Sequence, residues 1–351
     1  MDRNKCGGKI LSGRVDRRRV LGGVAAGAAT VAFFGPSGRL VMAQEATPTA
    51  CAEPVVAGRL DGVTRPEAGT KLIVAIVPKL VHPFFEDVRI GAEEKATELG
   101  VEFQWAAPQT GDPAIQVRMI EDLVSRQVNA IVISPNDPTS VEPVIADAMG
   151  RGILVMTFDS DSPASERVLY IGTDNMTAGR LQGETLNGLI GGKGKIGIIT
   201  GGLGALNLNQ RIEGLRSALG PDVEVVEPVA TDDDLQKALG VSEALLRGNP
   251  DLAGIACVSA TGGPTLAQVL QGPEFAELKL HVVAFDDLQE TKRGIEDGLI
   301  AATMVQRPVQ MGILSIQLAN DILTGGAAPT CALVDTGVTV VTLENIGSYT
   351  K

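Results

Sequence analysis

From Lys71 onward, short apolar runs alternate with amphipathic stretches, and this alternation sets the fold before any single residue does. Leu72-Ile73-Val74-Ala75-Ile76-Val77 is unbroken apolar sequence, the pattern of a strand covered on both faces. Positions 84–99 then read as a helix that stops at Gly100. The beat repeats with strands at 101–105, 130–133, 153–156 and 168–171, and helices at 113–127 and 141–149. In the 113–127 helix, Ile115, Met119, Ile120, Leu123 and Val124 form the expected inward stripe. A second round follows, with strands at 195–199, 223–226, 254–257, 281–285 and 301–304. Its helices fall at 178–189, 209–219, 235–246, 265–270 and 288–297. A last helix at 309–323 and short strand-like runs close the chain.

Strand, helix, strand in this order gives parallel sheets with helices on both faces. Two rounds predict an α/β protein of two doubly wound parallel-sheet lobes. Open parallel sheets bind ligands beyond the carboxyl ends of their strands. Two lobes that face each other bring two such sets of loops around one cleft, which can close by a hinge.

The first 43 residues follow a different pattern. Asp16-Arg17-Arg18-Arg19-Val20-Leu21 precedes an apolar Gly/Ala-rich run from Gly22 to Phe34, and Val41-Met42-Ala43 supplies a small residue for cleavage. This predicts a signal peptide over 1–43 whose paired arginines resemble a twin-arginine signal. The mature chain is then exported, to the periplasm or the outer face of the cytoplasmic membrane. The apolar run is broken by Gly35-Pro36 and falls below the roughly 20 residues of a membrane span. Residues 44–69, rich in Ala, Pro, Thr and Gly, read as a linker. Cys257 sits in an apolar run and reads as a small buried hydrophobe. Cys51 and Cys331 lie outside the regular repeat and are the candidate disulfide pair, with lipidation of Cys51 as the alternative.

Charge narrows the range of partners. The net charge is −12, although the leader alone carries eight Lys/Arg against two Asp/Glu. The remainder is therefore strongly acidic, which excludes nucleic acid and anionic lipid as partners.

The candidate chemistry lies in the loops after the strands. Aromatics make up only 3% of the chain, so Phe84-Phe85 at a strand end stands out. Such rings stack on the C–H face of a sugar, with Lys79 and His82 as nearby donors. Asn136 and Asp137 either read hydroxyls or build a turn and a cap. Asp159, after Phe158, is placed to accept hydrogen bonds from vicinal hydroxyls, whereas Asp161 reads as a turn residue. In the second round Asn207, Thr261 and Gln306 follow strands, and Arg211 can aim a guanidinium into the cleft. Phe285-Asp286 repeats the Phe158-Asp159 arrangement. Gly192-Lys193-Gly194-Lys195-Ile196-Gly197 matches G-x-G-x-x-G, yet it precedes a strand and opens no helix, so it reads as a turn. Asp232-Asp233-Asp234 opens a helix, where carboxylates suit the dipole. His82 and His281 have no metal-type partners nearby, and no P-loop or Ser/His/Asp constellation occurs. The expectation is binding without metal, cofactor or catalysis.

His82-Pro83-Phe84-Phe85, Thr157-Phe158-Asp159, Gly172-Thr173-Asp174-Asn175, Asn209-Gln210-Arg211-Ile212-Glu213-Gly214, Phe285-Asp286 and Gln306-Arg307-Pro308 occur in that order. Together they resemble the ribose-binding class of periplasmic binding proteins, the type I fold of sugar ABC importers, from Lys71 to Asn345. The resemblance implies that Phe84, Phe85, Asp159, Arg211, Asp286 and Gln306 line the pocket. It implies lobe crossings at Thr173-Asp174, at Gln306-Arg307 and near Asp335-Thr336. The N-terminal lobe is then 70–173 plus 307–335, and the C-terminal lobe 174–306 plus 336–351.

His82 stands where that class commonly has Asn, and Ser160 where Arg often follows the acid. Val77-Pro78-Lys79-Leu80 and Phe158-Asp159-Ser160-Asp161 instead resemble the branch that binds rhamnose or autoinducer-2, in which Lys79 touches the ligand. Asn207-Leu208 replaces the acid-amide pair of the autoinducer-2 binders. The resemblance implies a monomeric receptor that hands a monosaccharide or related polyol to the membrane permease of an ABC importer. A sensor docking on a chemoreceptor or histidine kinase is the alternative.

Overall fold

The structure, a computed structural model, describes residues 54–55 and 57–349. The leader expected over 1–43, the first part of the linker and Cys51 lie outside the described residues. The linker's described part is a docked strap. It contains a short helix, α1 (Ala57–Asp61). Val63 enters the core, the Thr64 amide donates to Gly152 O at 2.8 Å, and Arg59 Nη1 donates to Arg167 O at 2.7 Å. Pro54 forms an antiparallel bridge with Cys331. Cys331 is disulfide-bonded, whereas Cys257 is a free, buried thiol that burial makes harder to ionise.

The first sheet contains β1 (Ile73–Val77), β2 (Glu102–Trp105), β3 (Ala130–Ile133), β4 (Leu154–Phe158), β5 (Tyr170–Gly172) and the late strand β12 (Leu333–Asp335). Its order is β12-β5-β4-β3-β1-β2 and every pairing is parallel. The helices α2 (Pro83–Leu99), α3 (Pro113–Ser125), α4 (Glu142–Gly150) and α10 (Pro308–Leu323) belong with it. The second sheet contains β6 (Lys193–Thr200), β7 (Asp222–Val225), β9 (Leu252–Cys257), β10 (His281–Phe285), β11 (Ala302–Val305) and β13 (Thr339–Val341). Its order is β13-β11-β10-β9-β6-β7, and the two-residue strand β8 (Val229–Ala230) also pairs with β6. Only β13 runs antiparallel to its neighbour. Around it lie α5 (Asn175–Leu189), α6 (Leu206–Ser217), α7 (Leu235–Gly248), α8 (Gly262–Leu270) and α9 (Gln289–Glu296).

Alternation along these strands explains the continuous apolar runs. In the second sheet, Ile199, Cys257 and Ala284 join one core, while their neighbours Ile198, Ala256 and Val283 join another on the opposite face. Each lobe also clamps two helices through glycine. A Cβ on Gly312 of α10 would lie 2.0 Å from Val88 O of α2, and one on Gly91 would lie 2.2 Å from Val309 O. In the other lobe, a Cβ on Gly179 of α5 would lie 2.1 Å from Arg211 O of α6.

Two local readings are corrected. In α3, Ile115 is exposed and Gln116 is fully buried in its place. The amide earns burial by bonding: it donates to Pro78 O at 3.0 Å and Ser134 O at 2.8 Å, and accepts from Asn136 N. It thereby ties together the loops after β1 and β3. The G-x-G-x-x-G segment is not a turn beyond Gly192, since Lys193–Thr200 is strand β6.

Candidate ligand-binding site

The loops at the carboxyl ends of both sheets enclose a cavity of about 400 Å³, its open mouth included. Lys79, His82, Phe84, Phe85 and Asp159 line it from the first lobe, and Asn207, Arg211, Asp286 and Gln306 from the second. Leu80, Leu208, Asp233, Ser259 and Ala260 complete the wall.

Matching acids mark the end of β4 and of β10. Asp159 and Asp286 both adopt left-handed backbone conformations, with φ of 57° and 63°. This conformation is costly for most side chains and tolerated best by Asp and Asn, and it turns each carboxylate off its strand into the gap. Each turn is locked the same way. The Asp159 amide donates to Ile171 O and its carbonyl accepts from the Tyr170 hydroxyl. The Asp286 amide donates to Met304 O and its carbonyl accepts from the Thr303 hydroxyl.

In the second lobe the polar groups hold one another. Arg211 is buried and fully engaged: Nε donates to Asn175 Oδ1, Nη1 to Val258 O and Nη2 to Gln306 Oε1, at 2.8–2.9 Å. Its guanidinium carbon lies 3.9 Å above the Phe285 ring. Gln306 Nε2 in turn donates to Asp286 Oδ1 at 3.0 Å. Burial pushes the Asp286 carboxyl up to about 7, opposed by Arg211 and the Gln306 bond.

The first lobe is completed from across the gap. Ser134 Oγ donates to Asp159 Oδ2 at 2.7 Å, and Lys79 Nζ stands 3.7 Å from the same oxygen. Lys79 Nζ donates to Asn207 Oδ1 at 2.7 Å, and Asn207 Nδ2 reaches Asp159 Oδ1 at 3.4 Å. Burial lowers the Lys79 pKa, and the charge of Asp159 opposes it. Phe84 and Phe85 are 8% and 5% exposed and pack edge to face at 5.1 Å.

Asn136, Asp137, Phe158, Thr261 and Phe285, expected at the site, do not line the cavity. Asn136 Nδ2 holds Lys79 O, and Asp137 caps Thr139 and Ser140. Phe158 supports Phe85 edge-on at 6.1 Å, and Phe285 is the platform under Arg211. Thr261 joins a buried hydroxyl chain with Ser259 and Thr231. Asp161 is more than a turn residue: it holds Arg167 through two bonds of 2.7 and 2.6 Å. Leu80 and Leu208 adjoin expected residues, and Ser259-Ala260 follows a recognised strand, so position alone could have flagged them. Asp233 carried no such signal, because the strand before it is only two residues long.

No helix among the described residues is long and apolar enough to cross a membrane, and no metal-binding group of His, Cys, Asp or Glu occurs among them. An ABC transporter solute-binding protein from Burkholderia graminis, solved in complex with D-arabinose, is 47% identical. The match covers 82% of this chain and 100% of that one, with a TM-score of 0.79. The ribose import binding protein RbsB of Haemophilus influenzae is 29% identical over 72% of this chain and 86% of its own length. The D-allose-binding periplasmic protein of Escherichia coli is 27% identical over 74% and 89%. The model of the periplasmic binding protein domain matches residues 73–327, and the chain belongs to that family.

Proposed function

We propose that the protein captures a neutral monosaccharide, first of all an aldopentose such as arabinose, and delivers it to the permease of an ABC importer. The observation that carries this reading is the pair Asp159 and Asp286: two carboxylates on left-handed strand ends of different lobes, facing one cavity. Acceptors from two sides fit a molecule that carries hydroxyls around a ring, and Phe84 and Phe85 offer an apolar wall. The 47% identical relative solved with D-arabinose supports the pentose, and its being an ABC transporter solute-binding protein supports import over sensing. Lys79 at the cavity keeps rhamnose among the candidates.

Closure is assigned to the three crossings at Thr173-Asp174, Gln306-Arg307 and Asp335-Thr336. Asp335 Oδ1 accepts from Asp174 N at 3.1 Å and Gly337 N at 2.8 Å, so two of these strands would bend together. The leader over 1–43 would export the chain, which then acts as a monomer without catalysis. Asp159 and Asp286 are bonded to a serine hydroxyl and to amides, which is recognition geometry rather than an acid-base pair.

A thermal-shift panel of D- and L-arabinose, ribose, xylose, allose, rhamnose and sorbitol tests this. A true ligand at about 100 times its dissociation constant adds about 2.7 kcal/mol and raises the melting temperature. A panel in which no sugar or polyol shifts the transition would overturn the reading.

A further inference from the structure

Among the described residues, His82 Nε2 and the Asp233 carboxylate, polar groups of two cavity-lining residues from opposite lobes, have no hydrogen-bond partner. His82 is the N-cap of α2, where Nδ1 accepts from Phe84 N at 3.2 Å. A ring nitrogen that accepts carries no proton, so the neutral imidazole bears its hydrogen on Nε2. That Nε2 is buried and unpartnered. Burial also holds His82 neutral, since it lowers the imidazole pKa.

Across the gap, Asp233 sits in the loop between β8 and α7 with φ of 56°, beside Asp232 with φ of 54°. Its neighbour Asp234 does the capping of α7, accepting from the Gln236 and Lys237 amides, so Asp233 is not needed there. Its amide donates to Thr231 Oγ1 at 3.3 Å, which joins its loop to the hydroxyl chain of Thr261 and Ser259. Its carboxylate occupies space that only a glycine leaves open: a Cβ on Gly201 would lie 2.2 Å from Oδ1 and 2.5 Å from Oδ2. Among the described residues no donor bonds that carboxylate, in contrast to Asp159 and Asp286. Of the charges acting on His82, Asp233 is the strongest.

We infer that His82 and Asp233 form a cross-lobe pair that reads one ligand hydroxyl, which accepts from His82 Nε2–H and donates its proton to the Asp233 carboxylate. A hydroxyl is the group that satisfies both: it has a lone pair for the imidazole and a hydrogen for the acid. The pair deepens the sugar-capture reading and rests on it. It gives the site a third carboxylate and makes Asp233 a specificity determinant. It also rewards closure, because neither partner alone completes the bond.

The test uses titration calorimetry with D-arabinose and its single-deoxy analogues on the wild-type protein, Asp233→Ala, His82→Ala and Gly201→Ala. Asp233→Ala weakens D-arabinose by about 10- to 100-fold. One deoxy analogue suffers a similar loss on the wild type and none on Asp233→Ala or His82→Ala. Gly201→Ala reproduces the loss by displacing the carboxylate. Wild-type affinity in Asp233→Ala, or a deoxy penalty that survives there in full, overturns the inference. If Asp159→Ala and Asp286→Ala abolish binding while Asp233→Ala does not, only this inference fails. Should D-arabinose and the wider panel be silent, nitrogen NMR of the unliganded protein still decides the pairing. It expects the Nε2–H form of His82 and a lower titration midpoint in Asp233→Asn. An Nδ1–H form, or an unmoved midpoint, refutes the pair.

Discussion

The two lobes place the same residue, an aspartate in left-handed conformation after a strand, and hold its carboxylate differently. In the second lobe, Arg211, Gln306 and Asp286 form a closed relay on the Phe285 ring, and every bond of it stays within that lobe. In the first lobe, Lys79 and Asp159 share Asn207, which belongs to the other side of the gap. One wall is complete within its own lobe, whereas the other is completed by a residue from across the gap. Preorganised polar groups bind tightly because their ordering cost is met during folding. Groups completed across a cleft make binding depend on the closed state.

The strongest challenge to this contrast is Arg211→Ala. It leaves Asp286 and Gln306 buried without their cation, so about 3–5 kcal/mol of stability should be lost together with most sugar binding. Chemical denaturation and calorimetry on the same variant check both. Asn207→Ala should behave differently. Stability changes little in the open form, but affinity falls by about 1.5–3 kcal/mol, because Lys79 and Asp159 lose their shared partner. Small-angle scattering should then show a smaller compaction on adding ligand.

The helix clamps separate packing from recognition. Gly312→Ala forces α10 from the Val88 carbonyl and should cost about 1–3 kcal/mol of stability with affinity intact. Gly179→Ala presses on the backbone of Arg211 itself, so stability and affinity should fall together.

The smallest effect is a pH dependence. Asp286 has a folded pKa of about 7, above its ordinary carboxylate value, so the folded state takes up a proton there. Its stabilising contribution is present at low pH and is lost as pH rises through about 7, with a slope of at most about 1.4 kcal/mol per pH unit. Sugar hydroxyls favour the ionised carboxylate, so affinity should rise between pH 6 and 8 by about tenfold or less. Asp286→Asn should abolish that slope in calorimetry.

The lobes were legible because their strands are buried on both faces, which writes continuous apolar runs into the sequence. Asp159 and Asp286 were legible because each follows such a run directly. Phe158 and Phe285 lie behind the cavity wall for a physical reason: in an alternating strand the residue before the turned-out acid faces the core, so each packs against a lining residue. Gln116 was invisible because a buried amide at a helical core position breaks the apolar stripe that identifies the helix. Asp233 was legible only as part of a helix-opening acidic run, because its placement at the cavity depends on Gly201 from another loop, a contact that no spacing rule encodes. Arg211 was found, although its Phe285 platform needed the fold.

The most direct measurement is calorimetric titration of D-arabinose and the other panel sugars into the wild type, Asp159→Ala and Asp286→Ala. The account predicts that one monosaccharide binds the wild type at a single site, and that either substitution, made in a different lobe, removes that same binding. Undiminished affinity in one of the two variants would contradict it, since the ligand would then be held by one lobe alone.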